Sequence, residues 1–532
     1  MALVMAVVIL LMHLVVWAAL QCAAPSEAAA YGFKQTTLTS QYGGQFGANI
    51  AASFVSSKDS VKTTFVVVWT GTAVEFFKCR TISDITDCFG SDGFYSIKGT
   101  YVDLAASGDH CIAGEEDFDS SRGRALFWEN CPDCNMFGTV NPSTVTGAGA
   151  SVAVVEEFFA VGMPEADKVQ VYRCASTSCK SAQQLTGPSG AQFGYAVAVA
   201  RSKPVNGYVA IAVGAPAWDG GRGIVYYYSC DPVLASCTQT NSVYFGNGGH
   251  PNDHLGAEVV MARAKTGYFV AFAVPNRAYN SVRQAAFYVQ WCPITESGSK
   301  TCSHIQGYLL PAEEPAATFM AIAATQQKGF LVLVGVPVVL DNKGAVYLFA
   351  CSTTSLSSSG SLSCTLKTYL YPNSAPLKAG DYFGRGVALV PLGSNGDVLA
   401  MTCASGLRAC YGFMCSMPSG TCACAEGWTG AVACNQCQSG YSGPDCKKTP
   451  PATAAPSTAA PTTSAPAEPP ADDDDADGDG SSSASPDTIL GFDAWVVYVV
   501  GAILAIFLVA GLVSLYQWCS KSSKRDNSIE MS

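Results

Sequence analysis

The residues with most chemistry to offer in this chain are its 23 cysteines, and their spacing argues for cross-linking. Twelve recur as close pairs: Cys79/Cys88, Cys131/Cys134, Cys174/Cys179, Cys230/Cys237, Cys292/Cys302 and Cys351/Cys364. Cys131-Pro-Asp-Cys134 alone would read as a redox or zinc motif. As one member of a series of short-loop pairs it reads as a structural bridge formed in an oxidising compartment. Such bridges stabilise by constraining the unfolded chain, by about 2 kcal/mol each for loops this short. The five histidines are scattered, and only His250 and His254, in GHPNDHLG, are close enough to suggest a zinc pair. A polar loop between repeated units is the expectation there. Glu156-Glu157 and Glu313-Glu314 are adjacent acids. Neighbours in a strand point to opposite faces, so neither pair is expected to form a catalytic dyad. There is no G-x-S-x-G, H-E-x-x-H or P-loop, so neither catalysis nor a cofactor is expected. With 30 Lys+Arg against 41 Asp+Glu, a net charge of −11 and no basic stripe, nucleic acid is disfavoured as a partner.

The elements that must position the paired cysteines come from a pattern repeated seven times between Phe46 and Cys415. Its clearest copy runs FGYAVAVA from Phe193, then YVAIAVGAP, a Gly-rich turn, IVYYYSC and a closing segment to Cys237. The others open at Phe46-Gly47, near Ile97, at Gly149, at Leu255-Gly256, at Phe319 (with Met320 in place of Gly) and at Phe383-Gly384. Self-similarity of this kind marks stacked units that cannot bury their faces alone. Each unit holds three or four short runs of β-formers, which makes it a small sheet. Seven four-stranded sheets arranged radially form a β-propeller, an all-β fold. Ala196, Ala198 and Ala200 alternate with Val197 and Val199. That suits an inner strand, where small and large residues must fit a taper.

The pattern resembles the FG-GAP repeats of integrin alpha subunits. The signatures are Phe193-Gly194 with Gly214-Ala215-Pro216, Phe383-Gly384, Gly162-Met163-Pro164 and Gly335-Val336-Pro337. The resemblance implies a seven-bladed integrin-alpha-like propeller working in extracellular recognition. Such propellers often carry D-x-D-x-D-G calcium loops between the first two strands of later blades. The equivalent gaps here are Arg201–Gly207, Arg263–Gly267, Thr325–Gly329 and Leu392–Asp397, and none offers three carboxylates. No metal dependence is therefore carried over.

From Cys403 onward the cysteine spacing changes. Cys422-Ala-Cys424 through Gly430 to Cys434, and Cys437 through Gly440-Tyr441 to Cys446, resemble the endings of EGF-like modules. The resemblance implies Cys424–Cys434 and Cys437–Cys446, and, less directly, Cys410–Cys422 and Cys403–Cys415. Cys415 is alternatively part of the last repeat, since ACYGFMC aligns with VYYYSC. The expected organisation is a signal peptide at 1–30, the propeller at 31–409, the EGF-like module at 410–446 and a disordered Pro/Thr/Ser/Asp-rich stalk at 447–490. A transmembrane helix at 494–516 and a cytoplasmic tail at 517–532 follow. The apolar run at 494–516 suffices to cross the ~30 Å hydrocarbon core. Lys521, Lys524 and Arg525 just beyond it place the C-terminus in the cytoplasm, making a single-pass type I protein of the plasma membrane. No N-x-S/T sequon follows the leader, and Thr453 to Ser464 offers O-linked sites.

The function class is extracellular recognition or adhesion to a protein or glycan ligand. The alternative is structural membrane attachment through lateral contacts with a neighbouring membrane protein. The turns after the second strands, Glu115–Arg122, Ala217–Arg222, Asn276–Arg283 and Val338–Lys343, diverge most among the repeats and are the candidate binding loops. Trp218, Asp219, Arg222 and Arg277 are the candidate ligand residues. Trp218 either stands exposed as a rigid anchor or packs against the adjoining blade. Two expectations concern the frame. Gly32–Leu38 supplies the outer strand that the last blade lacks. Counting pairs leaves Cys111 as the free, buried cysteine of the propeller.

Overall fold

A computed structural model describes the chain between residues 35 and 493, apart from 40–44, a number of inter-strand turns and most of 425–491. Seven antiparallel sheets follow one another in chain order. Their first strands are Ile50–Lys58, Val102–Ser107, Ser151–Val155, Ala196–Arg201, Val259–Ala264, Phe319–Ala324 and Phe383–Pro391. Each first strand touches the next, and the seventh touches the first, so they form the inner wall of a closed ring. The fold is a seven-bladed β-propeller. Second strands are clamped between adjoining blades, which is why they read as unbroken apolar runs: Val209–Ala215 and Gly329–Val336 are buried at every position. The core is correspondingly divided into layers between blades, such as Phe158, Val169, Phe193, Ile211 and Tyr228 between blades 3 and 4.

The FG and GAP glycines have a single physical role, and they meet across blades. A Cβ on Gly162, Gly214 or Gly335 would lie 2.1, 1.9 or 2.0 Å from the carbonyl oxygen of Gly194, Gly256 or Gly384 in the following blade. Those partners hold φ of 94°, 86° and 92°, open to glycine at little cost. The expected opening of blade 6 at Phe319-Met320 is corrected by strand register. Phe319 pairs with Gly335 as Ala196 pairs with Gly214, so Phe319 sits three residues beyond the FG place, which Ala316-Ala317 occupies. The blade 5 residue at the GAP position is Ala273, whose N–H donates to Glu258 O. Both glycines of this one junction are alanine.

The ring closes as expected. Gln35–Thr39 is the outer strand of blade 7, antiparallel to Ala409–Ser416 with Leu38 opposite Cys410. A Lys62–Asp397 ion pair at 2.6 Å joins blades 1 and 7 as well. The boundary expected after 409 falls at the start of that third strand, which runs on to Ser416. Two implied pairings are corrected. Cys403 bonds Cys410 and Cys415 bonds Cys422, not Cys403–Cys415 and Cys410–Cys422. Register is the reason: Cys403 stands opposite Cys410, and Cys415 opposite Cys422 on a short further strand, Thr421–Cys422.

The hairpin bridges Cys79–Cys88, Cys174–Cys179, Cys230–Cys237, Cys292–Cys302 and Cys351–Cys364 are formed. Four of them link residues directly opposite in the third and fourth strands. Cys131 and Cys424 are also disulfide-bonded; their expected partners Cys134 and Cys434, and Cys446, lie outside the described residues. Trp428–Thr429 pairs with Gln436–Cys437 within the segment expected to be EGF-like. The expected signal segment, nearly all of the expected stalk, and the expected span and tail at 494–532 lie outside the described residues; among those described, no helix is long and apolar enough to cross a membrane.

Cys111 is free and fully buried in the second strand of blade 2, where burial pushes its thiol well above the usual range. It packs with Phe76, Ala113 and Trp128 as a small hydrophobe. Maleimide should label Cys111 in the denatured, unreduced protein and leave the folded protein unlabelled there. Labelling at Cys403, Cys410, Cys415 or Cys422 would contradict the pairing described.

Candidate functional site

One face of the propeller gathers the turns after second strands and the connections between blades. Three of the four expected binding turns prove to be one construction. Phe118–Ser121, Trp218–Gly221 and Val339–Asn342 are single turns, each closed by an N–H from Gly123, Gly223 or Gly344 to the carbonyl of Phe118, Trp218 or Val339. Each turn has a non-glycine residue near φ +50°: Asp119 at 48°, Asp219 at 49° and Leu340 at 55°. The closing glycines then bridge to Ala148, Leu255 and Phe383 of the next blade. A Cβ on Gly223 would lie 2.2 Å from Leu255 O. Their divergence in sequence hides a shared blade-to-blade clip, so variation by itself does not mark them as binding loops. Asp119–Arg122 and Asp219–Arg222 are the same ion pair in the same turn, at 3.5 and 2.5 Å.

What sets blade 4 apart is the segment that follows it. After Cys237–Val243 the chain runs Tyr244-Phe245-Gly246 through a 3-10 turn, Gly246–Gly248, and folds over the clip. Trp218, Asp219, Arg222, Gly223, Tyr244, Phe245, Gly246 and Gly249 surround a cavity of about 160 Å³. Trp218 lies between its two expected states. It is half-buried against the core shared by blades 3 and 4, and meets the Tyr244 ring edge-on at 5.5 Å. Tyr244 is 52% exposed. In blade 2 the matching Phe118 is covered by the Arg124 guanidinium at 3.7 Å. Tyr244 and Phe245 line the same cavity and were missed in reading the repeats; their signal is an aromatic pair set against Gly-Asn-Gly-Gly just past a strand end.

Arg277, expected to touch ligand, has its partners within the protein. The second and third strands of blade 5, Gly267–Tyr279 and Val282–Pro293, extend beyond the blade as a hairpin. Arg277 donates from this hairpin to Asp253 at 2.8 Å and to Gly248 O at 2.9 Å, with its guanidinium 4.4 Å above the Phe245 ring. Asp253, wholly buried, also accepts from the N–H groups of His250 and Ala278. Arg277 therefore positions the far wall of the cavity. His250 and His254 belong to this same inter-blade strap. Glu156 and Glu157 correct another expectation. They form a hairpin turn, with Glu156 at φ 52°, and both reach Arg201 rather than opposite faces of a strand.

Two carboxylates stand at the inner wall, Asp103 in the first strand of blade 2 and Glu258 just before that of blade 5. Asp103 of blade 2 binds three blades together, accepting from Asn49 Nδ2, Leu104 N and Val152 N. Burial raises it to about 6. Glu258 of blade 5 is raised well above the usual carboxylate range, first by burial and then by Asp103. A carboxyl raised on folding keeps its proton more tightly in the native state. Its contribution to stability is complete below its ordinary value near 4.5 and is lost as pH rises through the folded value. Glu258→Gln should therefore be more stable than the wild type at pH 8 and equal to it at pH 4. Urea midpoints at the two pH values check this, and an equal shift at both would refute it.

No family model matches the sequence, and no curated protein matches it. Among solved structures, the β-propeller domain of Nup133 from Vanderwaltozyma polyspora is similar at 8% identity, over 72% of this chain and 98% of that one, with a TM-score of 0.39. The WD40 domain of coronin from Toxoplasma gondii is similar at 8% identity, over 72% and 88%, with a TM-score of 0.38. At this distance neither bears on function, and the propeller assignment rests on the seven sheets and their closure.

Proposed function

We propose that this protein is an extracellular recognition module, an integrin-alpha-like FG-GAP propeller held out from the plasma membrane by an EGF-like collar, a stalk and one type I span. Binding, not catalysis, is its task, and it needs neither cofactor nor calcium. The disulfide-bonded blades suit an oxidising, extracellular setting. The observation that carries the reading is the grouping of Trp218, Tyr244 and Phe245 with Asp219 and Arg222 around one cavity on the loop-bearing face. Aromatic side chains beside an arginine are the composition of energetic anchors at interfaces. The test is adhesion of cells displaying the full chain to a panel of cells and matrices, with and without chelator. Trp218→Ala should abolish adhesion with little change in display; adhesion that survives Trp218→Ala, or is lost on chelation, would defeat the proposal.

A second reading, attachment through lateral contact with a neighbouring membrane protein, is favoured by Val338 and Leu340. These stand 40% and 55% exposed on the blade 6 turn. Leu340→Asp would weaken that contact and leave adhesion through the blade 4 cavity intact.

A further inference from the structure

We infer that the blade 4 cavity takes a single neutral saccharide ring, held through a pair of adjacent hydroxyls; this rests on the recognition reading above and names its ligand. Size comes first. At about 160 Å³ the cavity is well under the ~300 Å³ at which ordinary small-molecule pockets begin. It has room for one ring at a time.

Charge comes second. Asp219 and Arg222 neutralise each other at 2.5 Å, while Arg277 lies behind the wall on Asp253, a carboxylate that the more exposed Arg283 also approaches at 4.0 Å. No uncompensated cation remains among the lining residues to hold a phosphate, sulfate or carboxylate, and no uncompensated anion to hold an amine.

Hydrogen-bonding capacity comes third. Asp219 accepts only and Arg222 donates only, so the ligand must both donate and accept within one short span. Arg222 spends one side-chain N–H on Asp219 Oδ2, and both groups remain partly exposed, at 40% and 48%. A vicinal diol meets this demand: one hydroxyl donates to the carboxylate while its neighbour accepts from the guanidinium. Trp218 and Tyr244 then supply apolar ring surface for the C–H face of the sugar.

The shared turn of blade 2 provides an internal comparison. Asp119 and Arg122 form the same pair, but there Arg124 lies over the aromatic ring. The clip is structural in both blades, and only in blade 4 is it joined by Tyr244, Phe245 and the glycine-rich segment.

The experiment applies purified full-length protein to an array of neutral, sialylated and sulfated glycans. It also measures adhesion to cells before and after mild periodate, which cleaves the carbon–carbon bond of a vicinal diol. Neutral glycans should bind, with at least a tenfold loss in Tyr244→Ala and Asp219→Asn and no loss in Asp119→Asn. Tyr244 is chosen because it is half-exposed, and asparagine because it tolerates the left-handed backbone of position 219. Periodate should abolish adhesion. Binding confined to charged glycans, or absence of any signal above the Tyr244→Ala background, overturns the saccharide. Adhesion that resists periodate but is lost in Tyr244→Ala overturns the saccharide and leaves recognition by this face standing, with a protein as ligand. Adhesion indifferent to Tyr244→Ala removes both.

Discussion

Gly214→Ala is expected to destabilise the propeller by about 3 kcal/mol or more, because the added methyl would meet backbone and not a side chain that can swing away. Its Cβ would stand 1.9 Å from Gly256 O, and Gly256 is held at φ 86° by its own place in blade 5. Relief would require two whole blades to separate. Gly220→Ala is the control: nothing lies within 4 Å of its Cβ, and only the φ of 69° is strained, at about 1 kcal/mol. Urea unfolding of the two variants should give a large and a small shift of midpoint; equal shifts would show that the glycine contact between blades is not the source of the constraint.

The second large effect is expected at the seam. Leu38→Asp places a carboxylate at a position 2% exposed, among Phe46, Val66, Leu399 and Met401. A cavity alone would cost about 2–5 kcal/mol, and an unpartnered buried charge adds to it. The N-terminal strand should then leave blade 7, exposing the outer edge of Ala409–Ser416. Limited proteolysis should cut 35–45 early in Leu38→Asp and late in Thr37→Asp, whose position faces solvent on the same strand. Equal cleavage of both variants would mean that this strand does not close the ring.

The readable parts of the fold were those written at a fixed period. Paired cysteines sit at facing positions of adjacent strands, so spacing alone announced five of the hairpin bridges. The missing outer strand of the last blade pointed to the segment before Phe46. Reading failed where register outran pattern. Phe319 imitates an FG opening because an aromatic residue suits the head of an inner strand as well as the place three residues before it. Cys410 lay nearer to the collar in style, yet a tight turn after Ala404 puts it opposite Cys403. Glu156 and Glu157 escaped the alternation rule because they form the turn itself.

The site was half legible. Trp218, Asp219 and Arg222 do share a cavity, while Arg277 acts from behind it. Its position above Phe245 depends on a hairpin longer than those of the other blades, and on Asp253, an acid whose burial no local pattern marks.

The split outer edge of the blade 7 strand Ala409–Ser416 has a mechanical meaning. Toward its start it carries the N-terminal strand, held by backbone hydrogen bonds and the Leu38 side chain. Toward its end it carries Thr421–Cys422, tied to it by Cys415–Cys422, while Cys403–Cys410 ties it to its inner neighbour. Tension entering from the chain beyond Cys422 thus meets covalent bonds on both sides of this strand before any hydrogen-bonded ladder. Pulling from the C-terminal side loads the cross-linked strands Asp397–Ala404 and Ala409–Ser416 together, whereas the N-terminal strand beside them has no cross-link, which makes that seam a mechanical fuse of the ring.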